Sequence, residues 1–235
     1  MITIMSCDLG RTGKTAFCAL QGDNFFLRCI HMEAISSISA PEVETHLKSL
    51  HSTYRPAIIV MEINGPGGVF IDFAMKNTPD LPIVAVDTSL PAVQIPLWND
   101  ITLGGEEFQN IRAEMYWILR LLFRDQRIKF PREDAELWSQ LSTIKWTFDE
   151  NKKDRIQLES KKHMRLAQYR SELGPAFSSS PDKADSLALA SLGYAVMQAE
   201  VAIAQTTGEE VDEVISPDIG FEGFIPLGKA GISIN

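Results

Sequence analysis

The chain has 235 residues, 45% of them hydrophobic, with three cysteines and a formal net charge of -9. That length suits one domain with a genuine core, and no run of about 18 apolar residues offers a membrane span. The N-terminus lacks the pattern of a signal peptide. Cys7, Cys18 and Cys29 lie in apolar, strand-like stretches without CxxC spacing, which reads as reduced, buried thiols in a cytosolic compartment and excludes a disulfide framework.

Residues 2–8 predict a strand that ends on Asp8, and Gly10 and Gly13 mark a turn after it. Residues 15–20 and 25–32 are β-branched or aromatic enough for two more strands, separated by the hairpin signal Gln21-Gly22-Asp23-Asn24. Pro41 starts a helix to about Tyr54, with Val43, Leu47 and Leu50 on one face. Residues 57–63 are apolar except for Glu62, the mark of a buried central strand. Asn64-Gly65-Pro66-Gly67-Gly68 breaks that run, residues 69–75 look helical, and residues 83–86 form another short strand ending at Asp87. The strongest helical periodicity covers 106–123. Pro131 and the acids after it predict a helix through Trp138 and Leu141, and residues 144–148 and 155–158 predict a second hairpin around 149–154. Ser180 as cap and Pro181 at the first helical position open a last helix that runs to about Ala204. The order predicts a mixed α/β sheet with helices on both faces. Residues 1–204 are the expected domain, and 205–235, with six acids and one lysine, are an expected flexible or loosely docked acidic tail.

Net acidity argues against a nucleic-acid partner, but the charge is uneven. Residues 140–170 hold eight basic residues (Lys145, Lys152, Lys153, Arg155, Lys161, Lys162, Arg165, Arg170) and four acids, a local balance of +4 against -13 for the remainder. A basic patch on an acidic protein is compatible with DNA, since the local field governs contact; a solvated charged hairpin gives the same composition. Trp146 in this hairpin is a candidate for stacking on bases, whereas Trp117 and Trp138 sit at the helical spacing of core residues.

Three carboxylates stand out by environment, and a fourth shares a helix face with the last of them. Asp8 closes the first strand, Glu62 lies in the most apolar strand, and Asp182 and Asp185 share a face in the first turn of the last helix. An ionised carboxylate in so apolar a strand is costly unless neutralised. Hard divalent cations prefer such oxygen donors, and two of them a few ångströms apart support phosphodiester hydrolysis. Taken singly, Asp8 also reads as a turn former, Glu62 as the partner of a buried arginine, and Asp182 and Asp185 as favourable charges at a helix N-terminus. Asp8-Leu9-Gly10-Arg11-Thr12-Gly13-Lys14-Thr15 nearly spells a P-loop, but Asp8 stands where the motif needs glycine and no room for a helix follows Lys14. His31, His46, His51 and His163 have no metal-ligand spacing.

These residues resemble the RNase H-like superfamily, and more narrowly the nuclease domain of tailed-phage large terminase subunits. The resemblance rests on Asp8-Leu9-Gly10, Val60-Met61-Glu62-Ile63-Asn64-Gly65, Asn110-Ile111-Arg112-Ala113-Glu114-Met115-Tyr116-Trp117, Lys161-Lys162, and the stretch from Ser180-Pro181-Asp182 to Ala190. It covers roughly residues 2–195. It implies an RNase H-like five-stranded mixed sheet with an added β-hairpin, and a metal-dependent endonuclease that cuts concatemeric double-stranded DNA during viral genome packaging. Asp8, Glu62, Asp182 and Asp185 become ligands of two Mg²⁺ or Mn²⁺ ions. Lys161, Lys162 and Arg112 become phosphate contacts, with Lys152, Lys153, Arg155 and Trp146 guiding the duplex. The implied partners are an ATPase motor (on the same or another polypeptide), a small terminase subunit and a portal protein in the bacterial host cytoplasm, with no membrane. A junction resolvase on the same fold, or a non-catalytic docking module of a packaging motor, are the alternatives.

Overall fold

The computed structural model describes residues 1–10, 14–23, 26–36, 39–92, 95–96, 102–103, 108–130, 134–148, 155–160, 181–207 and 224–226. β1 (Ile2–Asp8), β2 (Lys14–Gly22) and β3 (Leu27–Ser36) form the expected antiparallel meander. α1 (Ala40–Tyr54) follows, entered through Ser39, whose backbone N–H donates to Glu42 Oε2 at 2.6 Å. β4 (Ile58–Glu62), α2 (Pro66–Asn77) and β5 (Ile83–Val86) form a parallel βαβ unit beside β1. A small hairpin, β6 (Ile95–Pro96) with β7 (Thr102–Leu103), precedes α3 (Ile111–Arg124). Then come β8 (Ile128–Lys129), α4 (Ala135–Thr143), the hairpin of β9 (Trp146–Phe148) and β10 (Ile156–Leu158), α5 (Asp182–Thr207) and β11 (Phe224–Pro226).

The main sheet has seven strands in the order β11-β5-β4-β1-β2-β3-β8. Its five inner strands are those the sequence predicts, in the arrangement of an RNase H-like sheet. The two edge strands are two and three residues long, too short for any hydrophobic period to announce them. β11 lies inside the segment expected to be a loose tail, yet pairs antiparallel with β5, so these three residues are docked on the sheet edge. α3 begins at Ile111 and not near 106, because Asn110 caps it: Asn110 Oδ1 accepts from the Ala113 backbone N–H at 3.0 Å. α5 begins at Asp182, one residue later than expected, and runs to Thr207. Lys14 stands in a strand and not at a helix start, which rules out the P-loop.

Each face of the sheet carries its own core. Met5, Cys7, Ile59, Met61, Ile83 and Ala85 pack on α1 and α2. Ile4, Ile58, Val60, Val84 and Val86 pack on α3 and α5. α5 is apolar nearly all round and lies buried across β1, β2 and β4. The approach is closest at Gly193, where a Cβ would stand 2.6 Å from Val60 Cγ2 and 3.1 Å from Ile4 Cγ2. Cys7, Cys18 and Cys29 are buried free thiols, as their apolar surroundings predict.

Candidate functional site

Strand register places the first two acids. β1 and β4 run parallel with Cys7 beside Met61, so the next step sets Asp8 beside Glu62. Alternation along each strand then turns both toward the α5 face, because Ile4 and Val60 already point there while Cys7 and Met61 point away. The exit from β4 is tight: a Cβ at Gly67 would sit 1.7 Å from the Glu62 carbonyl oxygen, so only glycine lets α2 begin this close.

α5 supplies the other two acids, descending antiparallel to β1. Ser6 and Ser186 hydroxyls meet at 2.9 Å, which fixes the first turns of α5 over the C-terminal end of β1. Asp182 Oδ2 accepts from the Lys14 backbone N–H at 3.3 Å. Asp185 Oδ1 accepts from the Tyr116 hydroxyl at 2.7 Å and lies 3.9 Å from Arg112 Nη2. Asp8, Asp182 and Asp185 are 7%, 4% and 1% exposed. α4 holds this helix end in place: Gln140 Oε1 accepts from the Ala184 backbone N–H at 3.0 Å, and Lys183 bridges Asp134 and Glu136.

Asp8 and Glu62 line one open cleft of about 510 Å³ with Asn64, Gln109, Asn110, Arg112, Leu158 and Ser160. Glu62 Oε1 is held by the Thr88 hydroxyl and by Asn64 Nδ2 at 3.4 Å. Arg112, which an amphipathic helix would ordinarily leave on the surface, keeps only 14% of its side chain exposed. Its Nη1 donates to the Glu159 carbonyl at 3.4 Å, while Nε and Nη2 have no hydrogen-bond partner among the described residues. The hairpin docks beside the cleft, since Gln109 donates to the Ile156 carbonyl at 2.9 Å. Burial first, then the negative charge of Asp185, pushes the Tyr116 hydroxyl far above its ordinary pKa, so it stays a proton donor.

The oxygen-only character of these acids suits a hard divalent ion, and among the described residues no cysteine or histidine lines the cleft. Among the described residues no three His, Cys, Asp or Glu side chains stand as a ready-made ligand group. Asp8 and Glu62 face the cleft directly, whereas Asp182 and Asp185 are oriented by Lys14 and Tyr116 at the same end of the sheet.

The remaining expected contacts divide. Arg155 is half-buried at the start of β10, and Lys152, Lys153, Lys161 and Lys162 lie outside the described residues, as does His163. Trp146 is turned inward, edge-on to Trp117 with ring centroids 5.3 Å apart, a placement that gives base stacking no support. Trp138, expected in the core, is 43% exposed and rests on Phe123 and Phe130, because α4 is a short surface helix. His31 and His46 both meet Glu33 on the α1 side of the sheet, away from the α5 face. Sequence reasoning assigned no role to Tyr116, Asn64, Thr88 or Gln140. The Asn64-Gly65 exit from an apolar strand was a visible signal for the second, and nothing marks the others.

No family profile matches the chain and no curated protein matches it in sequence. Among solved structures, the nuclease domain of the large terminase subunit gp2 of bacterial virus Sf6 superposes with a TM-score of 0.63 at 17% identity, covering 81% of this chain and 88% of that one. A mutant of that domain was solved with manganese. The large terminase nuclease from thermophilic phage G20c, solved with bound magnesium, gives 0.54 at 14% identity over 81% of this chain and 80% of that one. By these superpositions this chain has the RNase H-like fold of the phage large terminase nuclease domains.

Proposed function

We propose that this chain is a metal-dependent endonuclease that hydrolyses double-stranded DNA and cuts concatemeric viral genomes during packaging. One observation carries the reading: two parallel neighbouring strands end on acids that line a single cleft, and a buried helix brings two further acids to the same sheet end. Asp8, Glu62, Asp182 and Asp185 would hold two Mg²⁺ or Mn²⁺ ions; the manganese- and magnesium-containing terminase nucleases of similar fold support that choice. Bound there, the ions would activate water and stabilise the leaving oxygen of a phosphodiester.

The chain's own residues do the rest. Thr88 and Asn64 fix Glu62, and Arg112, which lines the cleft, would turn its guanidinium to a phosphate there. Arg155 with Lys152, Lys153, Lys161 and Lys162 would guide the duplex through the basic hairpin. The ATPase motor, small terminase subunit and portal protein are the proposed partners in the host cytoplasm. No described helix is long and apolar enough to cross a membrane.

The test is cleavage of linear duplex DNA with Mn²⁺ by the wild-type chain and by Asp8→Asn and Glu62→Gln. Each substitution keeps side-chain size and is expected to lower cutting by at least about 100-fold with the fold intact. Cleavage at wild-type rates in either variant overturns the site. A four-way junction or an RNA–DNA hybrid cut faster than linear duplex would move the substrate to the resolvase class.

A further inference from the structure

We propose that Thr88 is a positioning residue joining the two sides of the cleft: its hydroxyl holds one oxygen of Glu62 so that the other meets a cation, and its backbone seats the helix that carries Arg112. The inference rests on the nuclease reading above. β4 and β5 pair with Glu62 beside Val86, and Ile63 continues the ladder by donating to the Val86 carbonyl at 2.9 Å. Thr88 stands two residues past Val86, where its hydroxyl donates to Glu62 Oε1. Thr88 is buried. Valine would fill the same space, so packing alone does not call for a hydroxyl there.

The residue carrying this donor is anchored. The Thr88 carbonyl accepts from the Arg112 backbone N–H at 3.0 Å, and the Leu90 carbonyl accepts from the Ile111 N–H at 2.9 Å. The turn after β5 is thereby pinned to the first turn of α3, and Glu62 and Arg112, which Thr88 links, both line the cleft. The second donor to Glu62 is committed elsewhere. Asn64 Nδ2 lies 3.1 Å from Asp87 Oδ1, 3.3 Å from Thr88 Oγ1 and 3.4 Å from Glu62 Oε1. Asp87 is itself held by the Ser89 backbone N–H at 2.9 Å. The reach from Asn64 to Glu62 is the longest of the three and beyond the usual range for a hydrogen bond. Both contacts end on Oε1, and among the described residues no hydrogen bond reaches Oε2. A hydroxyl behind one oxygen orients a carboxylate without adding a charge to it, as the outer partners of metal-ligating carboxylates do.

The experiment uses the full chain, with Mn²⁺ binding followed by the EPR signal of free Mn²⁺ and duplex cleavage measured across Mn²⁺ concentrations. Thr88→Val trades the hydroxyl for a methyl and is expected to bind Mn²⁺ about 10- to 100-fold more weakly, with cleavage recovering as Mn²⁺ is raised. Thr88→Ser returns the hydroxyl and should recover most of that affinity. Unchanged Mn²⁺ affinity in Thr88→Val, cleavage that stays lost at saturating Mn²⁺, or a serine variant as weak as the valine one overturns the proposal. In a Glu62→Gln background, adding Thr88→Val should weaken binding little further, because the hydroxyl acts through that carboxylate. A full additional loss would place its action elsewhere and equally overturn the proposal. Should Thr88→Val fail to fold, Thr88→Ser against Thr88→Ala decides, since these two smaller side chains differ by the hydroxyl alone. Weaker Mn²⁺ binding in the alanine variant only supports the proposal, and equal binding overturns it. A wild-type chain that binds no Mn²⁺ defeats the nuclease reading itself, whereas wild-type binding with Thr88→Val unaltered defeats this inference alone.

Discussion

At Lys183 the ammonium nitrogen lies 2.7 Å from Asp134 Oδ2 and 3.2 Å from Glu136 Oε2, with 13% of the side chain exposed. Burial pushes both carboxyls up, but hydrogen bonds to them, led by Lys183 at Asp134 and by Lys14 at Glu136, outweigh it and hold both below their ordinary values. A folded-state pKa below the unfolded one gives stability above the ordinary carboxylate range, lost as pH falls through the lowered values. Lys183→Met is therefore expected to cost about 1 kcal/mol at pH 7 by urea denaturation. The difference from wild type should shrink as pH falls below about 4 and vanish only once the lowered values are passed, and an equal loss at pH 7 and in strong acid would mean that Lys183 acts through packing alone. Legibility at this scale follows chemistry. A charge in an apolar strand, as at Glu62, is conspicuous in sequence because burying it is costly. Tyr116 was invisible, because a tyrosine at a core position of a helix has the same spacing whether or not its hydroxyl has a task.

α5 delivers two of the four acids, so its seating on the sheet matters as much as the acids themselves. Gly193 is the contact point, and a larger side chain there meets Val60, Ile4 and Ile58 together. Gly193→Val is expected to destabilise the chain by about 1–3 kcal/mol through overpacking. Because lifting α5 off β1 and β4 also moves Asp182 and Asp185 away from the sheet end that carries Asp8 and Glu62, the proposed duplex cleavage should fall too. Unchanged stability in chemical denaturation would mean the helix does not approach the sheet this closely. Elements with a full hydrophobic period, such as α1, α3, β4 and α5, were readable to within a few residues. The hairpin of β6 and β7 and the edge strands β8 and β11 were not, since two or three residues carry no period and pair only where a neighbouring backbone presents itself.

For the whole molecule, the proposed metal site draws its carboxylates from β1, β4 and α5, which would make stability and metal binding one equilibrium. A cation bound to the folded chain and not to the unfolded one stabilises it by about 2.7 kcal/mol at 100 times its dissociation constant. Thermal unfolding is expected to rise with Mn²⁺ and fall back with EDTA, and the rise should be lost in a chain carrying both Asp8→Asn and Glu62→Gln. A rise that survives in that variant would place the ion elsewhere. The amino-acid sequence alone determined which segments become buried strands and helices, because periodicity and the cost of burying charge are local properties of the chain. It thereby determined the five inner strands and the suspicion attached to Asp8, Glu62, Asp182 and Asp185. Only the tertiary structure decided that Asp8 and Glu62 stand side by side, that Arg112 lines the cleft, that Trp146 turns inward, and that Tyr116 of α3 hydrogen-bonds Asp185. Strand register and helix seating arise from packing between segments far apart in the chain, and such packing leaves no mark on any one of them.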